Sequence, residues 1–565
     1  MAAVQLDSGL LIGFLFLATC LVVAVRSYLR SGGADGGRGG AAITSPPALP
    51  VIGNLHQLGR GRHHRALREL ARRHGPLFQL RLGSVRALVV SSASMAEAVL
   101  RHQDHVFCGR PQQHTARGTL YGCRDVAFSP YGERWRRLRR VAVVHLLSAR
   151  RVDSFRALRE EEVASFVNRI RAASGGGGGV VNLTELIVGL THAVVSRAAF
   201  GKKLGGVEPA KVRETVGELA DLLGTIAVSD MFPRLRWVDW ATGLDARTKR
   251  TAAKLDEVLE MVLRDHEQSR GDDDDDDGDG EARDLMDDLL SMANGGDDHG
   301  YKLDRIDVKG LLILVRHVRG RHGHSLQVDR MNNGRAHQEP SRNGESASRG
   351  ETCRSSCTRR RRRRRRRRHR QGGAGEQLGK MTLLRAAMKE AMRLHPPLPL
   401  LIPREAIQDT VLHGHRVAAG TRVMINAWAI GRDEAAWEDA GEFRPGRFAD
   451  GGDNAGVEYY GGGGDFRFMP FGAGRRGCPG MAFATRLAEL VVANMACWFE
   501  WELPDGQDVQ SFEPSRSSSR EVCRLGSSSG KIGNHVYAVE TTYAVETWKL
   551  SLDREMDVRD SSTSP

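Results

Sequence analysis

Phe468–Gly480 reads FMPFGAGRRGCPG, and this glycine-rich loop is the most informative stretch of the chain. It places Cys478 just before an apolar pattern of helical period, Met481–Ala496. A cysteine in this position has its thiolate favoured by the helix dipole and by backbone N–H donors. Gly474 permits a tight turn, and Arg476 supplies a cation. A buried thiolate in such a setting suits an iron ligand.

Two other interpretations of this loop stay open at the level of the residues alone. Gly472, Gly474 and Gly477 also match the dinucleotide-binding fingerprint, which needs a hydrophobic strand before it and an acidic residue about 20 positions later. Gly461–Gly464 and Asp465 stand where that strand should be, and no acidic residue follows in the required context. The second alternative is a buried cysteine with a purely structural role.

Two charged motifs lie upstream of the loop. Glu390 and Arg393 are spaced i, i+3, which places both on one face of a helix that Pro396 and Pro397 end. Taken alone, such a pair is an exposed helix pair that contributes only a few tenths of a kcal/mol. The segment Phe443–Phe448 (FRPGRF) follows and carries a second arginine at its fifth position.

In this order the three motifs resemble those of the cytochrome P450 superfamily. The apolar N-terminus, the Pro-rich hinge and Arg393–Pro397 resemble its plant microsomal (A-type) members. The resemblance covers about Ser8–Val315 and Gly375–Asp508. It implies a mostly α-helical fold with a minor β subdomain, preceded by one N-terminal transmembrane helix.

The resemblance also implies roles for individual side chains. Cys478 is expected to be the axial ligand of a haem b iron. Glu390, Arg393 and Arg447 are expected to form a buried ionic triad, which is costly to break by removing one partner. The indole N–H of a Trp-x-x-x-Arg helix and nearby guanidiniums can donate to the haem propionates. The residues implied to bind the cofactor or to shape its loop are Trp135, Arg139, Arg404, Phe471, Gly474, Arg476 and Gly480.

The implied function is a haem-thiolate monooxygenase that inserts one oxygen atom of O2 into a small lipophilic metabolite. Electrons would come from an NADPH-cytochrome P450 reductase, so NADPH acts only indirectly. The alternative is a haem-binding protein unable to oxygenate, either of isomerase or dehydratase type or the inactive product of a frameshifted gene. The candidate substrate loops are apolar or mixed and do not predict the substrate: Phe107–Val126, Leu222–Phe232 and Leu398–Ile402.

The N-terminus predicts a membrane anchor. Leu10–Val25 is almost entirely apolar, Asp7 precedes it, and Arg26 and Arg30 follow it. This charge order favours an uncleaved single-pass anchor in the endoplasmic reticulum membrane, with the remaining chain in the cytosol. A cleaved signal and a soluble core helix are the alternatives. We therefore divide the chain into an anchor (1–30), a Gly/Pro-rich hinge (31–58), a catalytic domain (59–510) and an aberrant tail (511–565).

The basic composition does not predict a nucleic-acid partner. The formal charge of +14 includes an unbroken run of ten arginines, Arg359–Arg368, and is +4 without it. Nothing aromatic or fold-like surrounds that run, as a nucleic-acid site would require. The 8 cysteines are sparse over 565 residues, which favours a reducing compartment over a disulfide scaffold. Cys353 and Cys357 lack the second pair that a zinc site usually needs.

Residues 316–372 interrupt the resemblance, have no hydrophobic period and are expected to be disordered. The superfamily's distal helix carries an Ala/Gly-Gly-x-Asp/Glu-Thr motif that relays protons to bound dioxygen. No such motif follows Leu311, so the distal catalytic residues are unknown. Codons for Val318–Ser325, read one base later, permit Ser-Ala-Ala-Gly-Thr-Asp-Thr-Pro. The same shift over Asn332–Pro340 permits Thr-Met-Ala-Glu-Leu-Ile-Lys-Asn-Pro. We infer an out-of-frame translation of the distal helix.

Periodicity along the rest of the chain predicts helices and a few strands. The predicted helices are Arg62–His74, Met95–His102, Leu138–Ile170, Leu183–Phe200 and Val207–Ile226, and the predicted strands are Leu77–Leu82 and Ala87–Ser91.

Overall fold

The computed structural model describes residues 43–59, 62–173, 180–201, 209–272, 285–295, 302–317, 381–459, 464–499, 501–502 and 522–525, together with Thr19. Helices dominate these ranges, and the strands form three small sheets. The prediction of a mostly α-helical fold with a minor β part is therefore confirmed.

The helices are α1 His63–His74, α2 Ala93–Glu97, α3 His114–Thr119, α4 Glu133–Arg140, α5 Ala149–Ser154, α6 Arg156–Ala173, α7 Leu183–Phe200, α8 Pro209–Leu223, α9 Arg236–Ala241, α10 Leu244–Asp272, α11 Leu285–Gly295, α12 Arg305–His317, α13 Thr382–Leu394, α14 Ala427–Ile430 and α15 Met481–Trp498. Two π-helical turns, Ala98–His102 and Val141–Leu146, continue α2 and α4.

The strands are β1 Leu77–Leu82, β2 Val85–Val90, β3 Val180–Asn182, β4 Arg404–Glu405, β5 Thr410–Leu412, β6 His415–Val417, β7 Arg422–Ile425, β8 Trp501–Glu502 and β9 Val522–Leu525. The largest sheet has the order β1-β2-β7-β4. β1 and β2 form an antiparallel hairpin that turns at Gly83, where φ is 64°. β2 then pairs in parallel with β7, which joins the N-terminal part of the chain to residues after α13.

Several predicted elements differ from the observed ones. The helix expected over Leu138–Ile170 is divided into α4, a π-helical turn, α5 and α6. The division occurs because Ser148 caps a new helix, accepting a hydrogen bond from the backbone N–H of Arg151. The helix expected over Met95–His102 starts at Ala93 and becomes π-helical from Ala98.

The folded body begins before Gly59, inside the stretch assigned to the hinge. Asn54 is fully buried, and its side-chain amide donates to the carbonyls of Pro46 and Pro47. Gly53 forms a bridge with Leu82 of β1. Residues 43–58 therefore pack against the first sheet, whereas residues 31–42 lie outside the described ranges.

One buried hydrophobic cluster joins the helices on both sides of the interrupted segment. It contains Leu311 and Ile313 of α12, Leu384 of α13, and Phe483 and Leu487 of α15. The structure does not describe residues 318–380. Because α13 packs in the same core as α12, the fold continues on the far side of this segment. This packing also fixes the start of α15, and with it the end of the preceding loop, against the shared core.

The predicted anchor and the predicted tail lie mostly outside the described residues. The anchor (1–30) lies outside the described residues except for Thr19. Among the residues that are described, no helix is both long and apolar enough to cross a membrane. Val522–Leu525 lies within the stretch assigned to an aberrant tail, yet it forms the middle strand between β3 and β8.

Candidate haem-thiolate site

The loop before α15 is held in shape by its own backbone. Cys478 donates its N–H to the carbonyl of Phe471 at 2.9 Å. Gly474, with φ of 67°, starts a 3₁₀ turn, and a Cβ there would lie 2.5 Å from both Asp104 Oδ1 and the Leu100 carbonyl oxygen. Glycine is therefore required at this position both for its backbone conformation and for the close approach of the neighbouring loop. Gly480 is the N-cap of α15, whose first residue is Met481.

Cys478 has a free, accessible thiol whose pKa is raised by burial. The backbone N–H of Gly480 and the charge of Arg139 act in the opposite direction. Desolvation outweighs these two contributions, both of which favour the thiolate. Cys478 would be held as a thiolate if it bound a metal cation, since a coordinating thiol is deprotonated outright.

The predicted propionate donors converge beside this loop. Trp135 of α4 is buried and donates its indole N–H to the carbonyl of Val126 at 2.9 Å. Arg139, one turn later, donates to the Gly477 carbonyl at 2.6 Å. The guanidinium of Arg476 stacks on the Trp135 ring at 4.1 Å from its centroid.

Arg476 and Arg404 both contact the residues around the cysteine loop. Arg476 donates to the carbonyls of Cys108 and Ser129, both at 2.8 Å. Burial lowers the pKa of Arg476 to about 10. Arg404 of β4 donates to Asp104 Oδ1 at 2.7 Å and to the Ala473 carbonyl at 2.5 Å. The structure thus brings Trp135, Arg139, Arg404 and Arg476 together around the cysteine loop.

Arg110 belongs to the same group, and the sequence analysis missed it. It is buried and donates to the carbonyls of Ala127, Ile402 and Pro403 at 2.6–2.9 Å. Burial, reinforced by Arg404 and Arg476, lowers the pKa of Arg110. Its partners are backbone carbonyls up to 293 residues away along the chain, so no local charge pattern marks it.

The charge balance of this group fits a dianionic cofactor. The four arginines 110, 139, 404 and 476 lie close enough to influence one another, and Asp104 and Asp125 are the carboxylates among them. Most of their donors reach backbone carbonyls, which carry no charge to offset four guanidiniums. Two carboxylates, as on haem, would neutralise this excess through charge-assisted hydrogen bonds. The residues present therefore fit haem on the Cys478 side.

The predicted triad also comes together, below the loop. Glu390 and Arg393 are fully buried in α13, and Arg447 Nε lies 3.0 Å from Glu390 Oε1. Arg393 also donates to the carbonyl of Ala440 at 2.8 Å and stacks on Trp437. The neighbouring Phe468, which packs on Phe448, and Phe471, which packs on Tyr459, continue this core into the cysteine loop.

The distal side is described only up to His317, where α12 ends. The position at which an acid-hydroxyl motif is expected falls in residues 318–380, outside the described ranges. The structure therefore shows the Cys478 side of the site and about three and a half turns of the helix after which the motif is expected.

Comparison with known proteins agrees with this geometry. The cytochrome P450 family model matches residues 43–315 and 364–522. The match thus omits 316–363, and it extends beyond Asp508, the end of the resemblance read from the sequence.

Curated relatives are plant enzymes. Cytochrome P450 71A1 of Persea americana is 40% identical over 490 residues, covering 82% of this chain and 88% of the relative. Strychnine-11-hydroxylase of Strychnos nux-vomica is 37% identical over 514 residues, covering 89% of this chain and 93% of the relative. Norfluorocurarine oxidase of a Strychnos species is 38% identical over 485 residues, covering 85% and 90%.

Solved structures agree at the level of the fold. A retinoic acid-bound cyanobacterial cytochrome, CYP120A1, has a TM-score of 0.61 at 20% identity, covering 86% of this chain and 99% of its own. A zebra fish cytochrome P450 with progesterone has a TM-score of 0.58 at 23% identity, covering 79% of this chain and 94% of its own. With the family model matching most of the chain, this protein belongs to the cytochrome P450 family, whose members use haem b as their cofactor and receive electrons indirectly from NADPH.

Proposed function

We propose that this protein inserts one oxygen atom of O2 into a small lipophilic metabolite, with electrons delivered by an NADPH-dependent reductase. The observation that carries the proposal is the convergence of Cys478 with four arginines, of which Arg110 and Arg404 are buried, and whose excess charge fits two propionates. The bound haem supplies the oxidation chemistry itself. The chain supplies the anchoring thiolate, the orientation of the cofactor and the exclusion of water.

Each of these tasks falls to named residues. Cys478 would hold the iron through Sγ, with the Gly480 N–H and Arg139 favouring the thiolate form. Arg110 and Arg476 would hold the propionates through their guanidinium N–H groups, while Trp135, whose single indole N–H donates to the Val126 carbonyl, would support Arg476 by stacking. The buried triad of Glu390, Arg393 and Arg447 would hold α13 and the segment Phe443–Phe448 in a fixed position relative to each other.

The ligand assignment is tested by spectroscopy on the full chain. The protein, purified with haem, is reduced and exposed to carbon monoxide, and the Soret band is recorded. We expect the red-shifted band of a thiolate complex in the unaltered chain and its loss in Cys478→Ala. Cys497→Ser, which changes another cysteine near the far end of α15, serves as the matched control and should keep the band. An unchanged band in Cys478→Ala rejects the assignment.

A reductase docking face is part of this proposal. Arg136 and Arg140 of α4 and Arg475 of the loop are exposed, and they lie on the elements that carry Trp135 and Cys478. An exposed basic face attracts an acidic electron donor, and the attraction weakens with salt. Arg136→Glu with Arg140→Glu should weaken reductase binding several-fold at low ionic strength. Arg101→Glu, on α2's π-helical continuation, is the control. Equal binding by both variants would contradict this face.

Membrane attachment is the third part of the proposal. It rests on the apolar segment Leu10–Val25 and on an exposed apolar patch at the start of the folded body. The Ile52 carbonyl accepts from the Gly83 N–H and the Met231 carbonyl from the Ser84 N–H, so the two segments that carry these apolar side chains meet at this turn. The patch consists of Leu49, Val51, Ile52, Ile226, Leu235, Trp237 and Trp240, with Trp237 64% and Trp240 74% exposed. Tryptophan is enriched at membrane–water interfaces.

The proposed location is the endoplasmic reticulum membrane, with the catalytic domain in the cytosol. The chain is expressed in sealed microsomes and treated with protease. We expect digestion of the catalytic domain and retention of a short N-terminal fragment. Protection of the domain would reverse the topology.

The substrate class is proposed only at the level of a small lipophilic molecule. Two relatives are named for acting on strychnine and norfluorocurarine, which are small organic molecules. Neither name specifies the substrate of this chain.

A haem protein without oxygenase activity is the second candidate. The observation that favours it is the missing acid-hydroxyl motif after Leu311, in the stretch that the family match omits. Reconstitution with a plant reductase separates the two candidates. A chain that shows the thiolate band but neither consumes NADPH above the reductase-only rate nor forms product from lipophilic test compounds belongs to the second.

A further inference from the structure

Asp307 lies at the start of α12 and makes two ion pairs that the proposed chemistry does not use. Its side chain is 1% exposed. Its Oδ1 lies 2.6 Å from Arg134 NH2 and 3.4 Å from Arg124 NH2. Arg134 also brings its Nε to 2.9 Å from the same oxygen. One buried carboxylate therefore pairs with two guanidiniums ten residues apart in the chain.

Arg124 and Arg134 lie at the two ends of the segment 124–134, whose carbonyls accept hydrogen bonds from the side chains proposed to lie beside the haem. Arg124 begins a loop, Arg124–Ser129, which we name the carbonyl loop, and Arg134 stands beside Trp135 in α4. The carbonyl of Val126 accepts from Trp135, that of Ala127 from Arg110, and that of Ser129 from Arg476. The carbonyl loop thus sets the positions of three of the cofactor-side donors.

The carbonyl loop also lies very close to α12. A Cβ at Gly310 would lie 2.6 Å from the Arg124 carbonyl oxygen, so only glycine permits this contact. Within the loop, Asp125 Oδ1 accepts from the backbone N–H groups of Ala127 and Phe128 at 2.7 and 2.9 Å. The loop is therefore internally rigid, and its placement depends on its contacts with the beginning of α12.

We propose that Asp307 is a positioning residue for the propionate donors. By pairing with Arg124 and Arg134, it fixes both the carbonyl loop and the start of α4 relative to α12. It acts through these elements and does not itself touch the cofactor. The proposal rests on the proposed function, because it assumes that the arginines beside Cys478 hold haem propionates.

Asp304 provides a matched control. It pairs with the same two arginines, but its side chain is 53% exposed. Exposed ion pairs are screened by water and salt, whereas removing one partner of a buried pair leaves an uncompensated charge. Asp304→Asn keeps the capping oxygen that accepts from the Asp307 N–H. The two Asp→Asn changes therefore differ mainly in burial.

The first measurement does not require haem. Hydrogen exchange of the Ala127 and Phe128 amides is followed in the full chain and in Asp307→Asn, Asp304→Asn and Asp239→Asn. Asp239 is a buried carboxylate that accepts from the Val228 and Ser229 amides, so its variant controls for general loss of stability. We expect faster exchange at both amides in Asp307→Asn alone. Exchange that is unchanged there, or equally raised in Asp239→Asn, overturns the proposal.

The second measurement follows haem loss to excess apomyoglobin, with the propionate bending band recorded by resonance Raman spectroscopy. We expect haem loss about tenfold faster in Asp307→Asn, the usual scale for residues that orient cofactor ligands, and a shifted band. Asp304→Asn and Asp239→Asn should change the rate less than about threefold by the same reasoning. Equal rates in all three variants overturn the proposal. If the unaltered chain takes up no haem, the proposed function fails instead, and the amide measurement decides whether Asp307 positions the loop.

Discussion

Arg393 and Glu390 form a bidentate ion pair inside the protein, with Arg393 Nε 2.7 Å from Glu390 Oε2 and Arg393 NH2 2.8 Å from Glu390 Oε1. Both side chains are completely buried, and Arg447 completes the charge network. In the sequence the same i, i+3 spacing describes an ordinary exposed helix pair. Burial changes its significance, because a buried charge that loses its partner is strongly destabilising.

Glu390→Gln should therefore destabilise the fold severely. Removing one partner of a buried pair costs about 3–5 kcal/mol. We expect a lower urea midpoint or loss of soluble protein. Arg444→Ala is the control, because its pair with Asp439 is about half exposed and should contribute less than about 1 kcal/mol. A variant Glu390→Gln as stable as Arg444→Ala would contradict the triad's structural role.

Gly474→Ala should disrupt the cysteine loop. The substitution places a Cβ at a φ of 67° and 2.5 Å from Asp104 Oδ1, so both backbone strain and a clash oppose it. Strain of this kind costs of order 1–3 kcal/mol. Gly446→Ala is the matched control, because a Cβ there meets nothing within 4 Å and the residue is not left-handed. Thermal unfolding of the two variants distinguishes them; equal melting temperatures would show that the loop tolerates the change.

Arg110→Leu should weaken haem retention. The variant removes a buried guanidinium that donates to the Ala127, Ile402 and Pro403 carbonyls, and with it one charge of the cluster. We expect cofactor affinity to fall about tenfold or more, as for other residues that orient a cofactor's ligands. Haem titration of the purified variant measures it. Arg65→Leu, outside the cluster, should bind haem as the unaltered chain does.

Glu260 should contribute acid-sensitive stability. Hydrogen bonds from Arg305, then from Lys309, lower the pKa of Glu260 to about 2. Because its folded pKa lies below the unfolded value of 4.5, the contribution is present above pH 4.5 and is lost as the pH falls towards 2. Glu260→Gln should therefore lose less stability than the unaltered chain between pH 5 and 3, measured by urea unfolding. Parallel losses in both proteins would contradict this linkage.

The DNA across residues 310–375 should contain the missing motif in a shifted frame. The codons of two segments, Val318–Ser325 and Asn332–Pro340, can encode the expected sequence of the distal helix when read one base later. The codons of Met331-Asn332, however, force a stop in that frame. The family match supports this origin, because it ends at 315 and resumes at 364. Sequencing of the transcript checks the prediction. Codons that cannot yield Ala-Gly-Thr-Asp-Thr in any frame would reject it.

Sequence alone determined the parts of this protein that depend on local chemistry. The cysteine loop needs glycines at turns and a cysteine before a helix, and such requirements are visible in consecutive residues. Hydrophobic periodicity predicts α7 with its observed bounds, Leu183–Phe200, and the structure places Asn182 and Gly201 at its two caps. The contact among Glu390, Arg393 and Arg447 is predicted by the family resemblance and not by their spacing, and the structure brings these residues together.

Tertiary structure decided what depends on distant partners. Arg110 binds carbonyls of Ile402 and Pro403, and Asp307 pairs with arginines more than 170 residues earlier, so neither role leaves a local pattern. The pKa of Cys478 also depends on the fold. The backbone donor at Gly480 that lowers this pKa is local in sequence, whereas the desolvation that raises it comes from the surrounding residues. Burial and charge balance are properties of the packed chain, because they depend on which distant residues exclude water from a group.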